Sequence, residues 1–218
     1  MTSVAAVVFD LDGVIVQSEE LWDEARRALA SDADVEWPSD ATEAMMGMSS
    51  KEWSEYMRES VGVPAPAEEI NRGVVERLEE RYRRDLPWID GALDAVRRMA
   101  DAYPLGLATS SNREIVDIVL EVGELGELFE VTVSSEEVSK GKPAPDVYLE
   151  CASRMGFEAS RCAAVEDSTN GLLSAAAAGM RVIAVINDAH PPAERGRAAA
   201  DVVLDSIFDL TPGVVAGR

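Results

Sequence analysis

Six short apolar runs separated by helical patterns constrain this chain more than any other feature. They are "VAAVVF" (4–9), "PLGLATS" (104–110), "FEVTVSS" (129–135), "RCAAVED" (161–167), "RVIAVI" (181–186) and "DVVLD" (201–205). Most are nearly continuous in apolar residues rather than alternating, so both faces of each strand are expected to be buried. Strands of that kind belong to parallel sheets with helical crossovers. The patterns "GALDAVRRMADAY", "NREIVDIVLEVG", "APDVYLECASRMG" and "STNGLLSAAAAGM" supply the crossovers. The expected fold is therefore α/β, a Rossmann-like parallel sheet covered by helices on both faces, with ligands at the carboxyl ends of its strands.

One segment interrupts this alternation. Between about Ile15 and Leu86 no strand is evident, and "SEELWDEARRALA", "ATEAMMG", "SKEWSEYMRESVG" and "PAEEINRGVVERLEERYRR" read as helices. Ser18 is the expected N-cap of the first, with acids in its first turn, and Gly62 and Gly123 are expected helix stops. The division that follows is a core of residues 1–14 and 87–218 and an α-helical insert of residues 15–86. Trp22, Trp53 and the methionines Met45, Met46 and Met48 are expected in the packed interior of the insert. The arginines of "RLEERYRR" read as a solvated face.

Charge and cysteine content narrow the function. The formal net charge is -21, from 20 Lys+Arg against 41 Asp+Glu, which would repel nucleic acid and anionic membrane surfaces. The expected partner is a small molecule, and a phosphorylated one would need a local cation. Lysine occurs only at Lys51, Lys140 and Lys142. Cys151 and Cys162 lack metal-ligand spacing and read as small core residues of a cytoplasmic protein. No stretch approaches the ~18 apolar residues of a membrane span, and the apolar start breaks at Asp10 without a basic flank, so no signal peptide is expected. The sequence carries no signal for oligomeric state.

The polar residues at the strand ends carry the chemistry. Asp10 and Asp12 end the first strand, Thr109, Ser110 and Ser111 the second, Lys142 follows the third in "SKGKPAPD", and Glu166 and Asp167 end the fourth. Four carboxylates on one sheet edge repel unless a cation lies among them, and an all-oxygen set suits Mg²⁺. Residues two apart in a strand face the same way, so Asp10 and Asp12 are expected to reach the same ligand. Each piece alone has a plainer explanation. "DG" is a common turn, Glu166 and Asp167 precede a helix that Ser168 can cap, and "TSSN" can cap the next helix. Their occurrence together favours a site.

"FDLDGV", "LATSSN", "GKPAPD" and "VEDSTNG", in this order and spacing, resemble the four motifs of the haloacid dehalogenase superfamily. The helical insert after the first motif resembles that of its beta-phosphoglucomutase-like phosphatase branch. The resemblance implies Asp10 as nucleophile and Asp12 as general acid/base. It implies that Thr109 and Lys142 hold the transferring phosphoryl, joined by Ser110, Ser111 and Asn112 of the same motif. Asp10, the Asp12 carbonyl, Glu166 and Asp167 would surround Mg²⁺. The insert would act as a cap, with Trp22, Ser50 and Lys51 as candidate substrate contacts. The expected activity is Mg²⁺-dependent hydrolysis of a small phosphorylated metabolite, a sugar phosphate, through an aspartyl phosphate.

Two other functions share parts of this pattern. A phospho-accepting signalling module also gathers acids, a hydroxyl and a lysine at strand ends, but it needs an open face and no insert of this size. A phosphosugar mutase of the same branch has a cap histidine ten residues after the acid/base aspartate. Trp22 stands there in this chain, and Gln17 replaces an aspartate common in that stretch. His190, the lone histidine, is expected in the loop after the fifth strand.

Overall fold

Six parallel strands form one sheet in the computed structural model of the chain, which describes residues 3–45 and 48–217. They are β1 (Ala6–Phe9), β2 (Leu105–Thr109), β3 (Phe129–Ser134), β4 (Cys162–Glu166), β5 (Arg181–Val185) and β6 (Val202–Leu204). The order across the sheet is β3-β2-β1-β4-β5-β6. The chain winds outward from β1 through β2 and β3, then returns to the other side of β1 at β4. This leaves a crevice beyond the carboxyl ends of β1 and β4, where such sheets bind ligands.

The two faces of the sheet carry different cores. On one, Val7, Phe9, Leu105, Leu107 and Val165 pack with helices α5 (Ala92–Ala100) and α6 (Arg113–Val122). On the other, the small residues Ala6, Ala108, Ala164 and Ala184 lie against α7 (Asp146–Arg154) and α8 (Thr169–Ala177). Small side chains let these helices approach closely. Cys151 and Cys162 are buried there as free thiols, as expected of core residues.

Between β1 and β2 the chain runs through α1 (Glu19–Asp32), α2 (Ala41–Met45), α3 (Ser50–Tyr56) and α4 (Ala67–Arg84). A π-helical turn over Met57–Val61 extends α3 and ends at Gly62, whose φ of 90° is readily adopted only by glycine. Gly123 ends α6 for a different reason. Its φ is -82°, and a Cβ there would come within 2.6 Å of the Trp88 ring. Met45 is buried in the insert and Met48 is half-buried, while Met46 lies outside the described residues. The two connections of the insert run side by side: Gln17 N–H donates to the Pro87 carbonyl at 2.8 Å, and Ile89 N–H to the Ile15 carbonyl at 3.0 Å. Val14, Ile15 and Val16 are buried in one apolar cluster shared by the sheet and the helical segment, whose first helix begins at Glu19. The one-turn helices α9 (Glu194–Arg197) and α10 (Pro212–Val215) are too short for a periodic pattern and escaped the sequence reading. Among the described residues no helix is long and apolar enough to cross a membrane.

Close packing of α7 on β2 depends on Gly106. A Cβ there would meet Cys151 Sγ and Met155 Sδ, both at 2.6 Å. Gly106→Ala is therefore expected to lower the unfolding free energy by about 1–3 kcal/mol through overpacking, measured by urea denaturation.

Candidate active site

Lys142 Nζ lies 2.6 Å from Glu166 Oε1 and 2.9 Å from Asp10 Oδ1, and all three side chains are buried. β1 delivers Asp10, β4 delivers Glu166, and the loop after β3 brings Lys142 between them. Glu166 is saturated with donors. Oε1 also accepts from the Tyr148 hydroxyl at 3.1 Å, and Oε2 accepts from the Asp167 and Ser168 amides and the Ser168 hydroxyl. The Lys142 ammonium sits over the Tyr148 ring at 5.0 Å. Burial alone would lower the Lys142 pKa, but the charges of Asp10 and Glu166 outweigh it and hold the group above its ordinary value. Burial, then repulsion from Glu166, pushes Asp10 well above the usual carboxylate range, against the pull of Lys142.

Asp12 reaches the pocket by a different geometry from the one expected. β1 ends at Phe9, so Asp10 and Asp12 do not share a strand face. The chain turns instead, with Gly13 at φ 79°. The Asp12 carboxylate accepts hydrogen bonds from the hydroxyls of Ser18, Ser111 (2.5 Å) and Thr109 (3.4 Å). Ser18 does not cap α1 as its sequence position suggested: its backbone is helical (φ -101°, ψ -18°) rather than extended, and its hydroxyl donates to Asp12. The "TSSN" segment is likewise no side-chain cap for α6. Thr109 Oγ1 accepts from the Ser111 amide, while Ser110 and Ser111 line the pocket. Asn112 points elsewhere, donating to Asn71 of α4 at 3.1 Å and to Glu136 at 2.8 Å. Ser168 does cap α8, accepting from the Gly171 amide.

Asp167 completes the floor. One carboxylate oxygen from each of Asp10, Glu166 and Asp167 lies within 4.8 Å of the others. Asp167 Oδ1 is buried and has no hydrogen-bond donor among the described residues. Burial and repulsion from Glu166 and Asp10 raise its pKa well above the ordinary value. Two glycines make room for these acids. A Cβ on Gly13 would lie 2.0 Å from Asp167 Oδ2, and one on Gly171 would lie 1.6 Å from Glu166 Oε1.

The helical segment supplies the opposite wall. Trp22 and Trp53 are buried as expected, but they line this pocket together with Arg26 and Glu19. The guanidinium of Arg26 lies 5.2 Å from the Trp22 ring and 5.0 Å from the Trp53 ring, and the two rings meet edge to face at 5.9 Å. Burial lowers the Arg26 pKa to about 10, against the opposing pull of Glu19, Asp23 and Asp12. The group stays charged near neutral pH. Ser50 and Lys51 stand outside the pocket: Ser50 donates to Glu136 at 3.0 Å, joining the helical segment to the sheet side, and Lys51 is exposed beside a separate groove. Gln17 accepts from Asn187 at 3.0 Å. His190 follows β5 in a loop that packs near Glu19. Arg26, Tyr148 and Glu136 were missed in the sequence. Arg26 had a signal, since it lies four residues after Trp22 and so on the same helix face.

This strand order, with the acids of β1 and β4 facing Lys142 and a helical segment inserted after β1, accords with the motif pattern. The chain belongs to the haloacid dehalogenase-like hydrolases, whose family model matches residues 7–185. Among its relatives, hexitol phosphatase B of Escherichia coli is 32% identical over 95% of this chain and 95% of that protein. The phosphorylated carbohydrates phosphatase of Thermotoga maritima is 29% identical over 89% of this chain and 92% of that protein. A crystal structure of a CbbY mutant from Rhodobacter sphaeroides, in complex with xylulose-(1,5)bisphosphate, superposes with a TM-score of 0.86 at 26% identity. It covers 98% of this chain and 99% of that one.

Removing the ammonium strands two buried carboxylates. In metal-free buffer Lys142→Met is expected to lower the unfolding free energy by about 3 kcal/mol or more. The double variant Lys142→Met/Glu166→Gln should lose less than the sum of the two single losses, as read by urea unfolding. Additive losses would show that the two side chains are not coupled.

Proposed function

We propose that this chain is an Mg²⁺-dependent phosphatase that hydrolyses a small phosphorylated metabolite, a sugar phosphate, through an aspartyl phosphate on Asp10. The observation that carries the reading is a buried Asp10 carboxylate on the pocket floor, ion-paired to Lys142, with Asp12 held by hydroxyls beside it. Asp10 attacks phosphorus and the bond to the ester oxygen breaks. Asp12 gives its proton to that departing oxygen, then as a carboxylate takes one from the water that attacks the aspartyl phosphate. Inorganic phosphate leaves and Asp10 is restored. Lys142, the Ser110 hydroxyl and the backbone N–H groups after Asp10 and Thr109 offer fixed positive potential to the phosphoryl oxygens, while the Thr109 and Ser111 hydroxyls hold Asp12.

The floor suits a hard divalent cation. Three carboxylates converge, and Asp167 Oδ1 is buried without a donor. Asp10, Asp167 and the Asp12 carbonyl would hold Mg²⁺, and Glu166, already loaded with donors, would add chiefly charge. When bound, the ion offsets the repulsion between Asp10 and the incoming phosphate. Residues 15–86 act in this reading as a cap that closes over the substrate and excludes water.

Hydrolysis is favoured over phosphoryl migration. Trp22, where mutases of the branch carry a histidine, is an indole buried against Arg26 and has no proton to exchange near neutral pH. Gln17 is engaged with Asn187.

A screen of phosphorylated metabolites, with Mg²⁺ present and then chelated, tests the activity by phosphate release. Asp10→Asn is expected to abolish both turnover and the trapped phosphoenzyme, because a neutral amide does not attack phosphorus. Asp12→Asn should slow turnover by ~100-fold or more. Phosphate release at the wild-type rate by Asp10→Asn would sink the mechanism.

The metal has a second signature in stability. Asp10 and Asp167 have raised pKa values in the folded, metal-free protein, so between the unfolded and folded values the native state binds more protons than the unfolded chain. Stability of the metal-free form therefore falls as pH rises through that window, and protons compete with the cation at its lower end. Mg²⁺ is expected to raise Tm more at pH 8 than at pH 5. An equal rise at both would show that these carboxylates are not its ligands.

A further inference from the structure

Two cations line the pocket among the described residues, and they differ in what they have to bind. Lys142 is committed to Asp10 and Glu166. Arg26, only 7% exposed, is flanked by the Trp22 and Trp53 rings, and its Nε has no hydrogen-bond partner among the described residues. A guanidinium has five N–H donors in a fixed plane, and a buried donor left unmet costs free energy that a ligand oxygen recovers. Packing between the two indoles and burial restrict the guanidinium, so its donors are presented with little further loss of side-chain freedom.

Glu19 lines the same pocket, and it decides what kind of oxygen fits. A carboxylate only accepts hydrogen bonds. A hydroxyl can accept from Arg26 and donate to Glu19, whereas an ionised second phosphate donates nothing and is repelled by Glu19 and Asp12, which line the same pocket and whose charges already act on Arg26. Building on the phosphatase reading, we infer that Arg26 and Glu19 form a specificity pair that reads the hydroxyls of a neutral polyol or sugar leaving group, selecting monophosphates over bisphosphates.

Three probes test this with Mg²⁺ present: glucitol 6-phosphate, fructose 1,6-bisphosphate, and 4-nitrophenyl phosphate, which has no hydroxyls. The wild-type enzyme is expected to have a higher kcat/KM for glucitol 6-phosphate than for the bisphosphate. Arg26→Gln and Arg26→Lys should each lower the ratio of kcat/KM for glucitol 6-phosphate over 4-nitrophenyl phosphate at least tenfold, mainly through KM. Lysine keeps the charge but not the planar donors. Glu19→Gln, which removes the repelling charge, should raise the relative turnover of the bisphosphate, and melting curves check that each variant is folded. Equal losses on both monoesters, a wild-type ratio in Arg26→Lys, or a wild-type preference for the bisphosphate would each overturn the pair while leaving the phosphatase intact. No turnover of any probe by the wild-type enzyme would instead overturn the phosphatase reading on which the pair rests.

Discussion

One ammonium group, that of Lys142, stands between two buried carboxylates that would otherwise repel each other across the end of the sheet. Neither acid could stay ionised and dry at that spacing without it, because a buried charge needs both a partner and hydrogen bonds. Glu166 serves as the anchor of the arrangement. Backbone amides, the Ser168 hydroxyl and the Tyr148 hydroxyl fill its lone pairs and fix Lys142, which in turn fixes Asp10. The bare Cα of Gly171 belongs to the same requirement, since any side chain there would occupy the position of the Glu166 carboxylate.

Asp12 is governed by separate means. Three hydroxyls from two parts of the chain converge on it: Ser18 at the start of the helical segment, Thr109 at the end of β2 and Ser111 just after it. The Asp12 carboxylate is thus tied to both the insert and the sheet. Glu136 makes a second tie, accepting from Ser50 on one side and Asn112 on the other. The position of the helical segment is therefore registered at the site through hydrogen bonds rather than through apolar packing alone.

Much of this was legible in the sequence, and the part that was not has a common cause. The strands could be found because burial on both faces leaves an unbroken apolar run, and Asp10, Lys142, Glu166 and Asp167 because each interrupts or follows such a run. Helix position gives Ser18 a capping role, and the resemblance gives Asn112 and Ser50 substrate-directed ones. The fold instead pairs Ser18 with Asp12 six residues away, and the other two with Asn71 and Glu136 far along the chain. Local rules favour a cap from a residue at a helix start, but they cannot weigh a competing carboxylate brought in by tertiary structure. Arg26 and Arg27 are adjacent in the sequence and differ only in helix face. Arg27 pairs with Asp23 and Thr42, while Arg26 turns onto the two indoles.

The side-by-side connections at Ile15–Gln17 and Pro87–Ile89 bear on how the chain finds its fold. β1 pairs with β2 only across the whole helical segment, and with β4 only after β3 as well. Bringing distant strands together costs loop-closure entropy that grows with the logarithm of the intervening length, and such non-local pairings slow folding. If the helices collapse first, their paired ends act as a clasp that removes roughly seventy residues from the loop between β1 and β2. The segment that walls the pocket would then also serve the chain earlier, as a splint that shortens the search for the central strand pair.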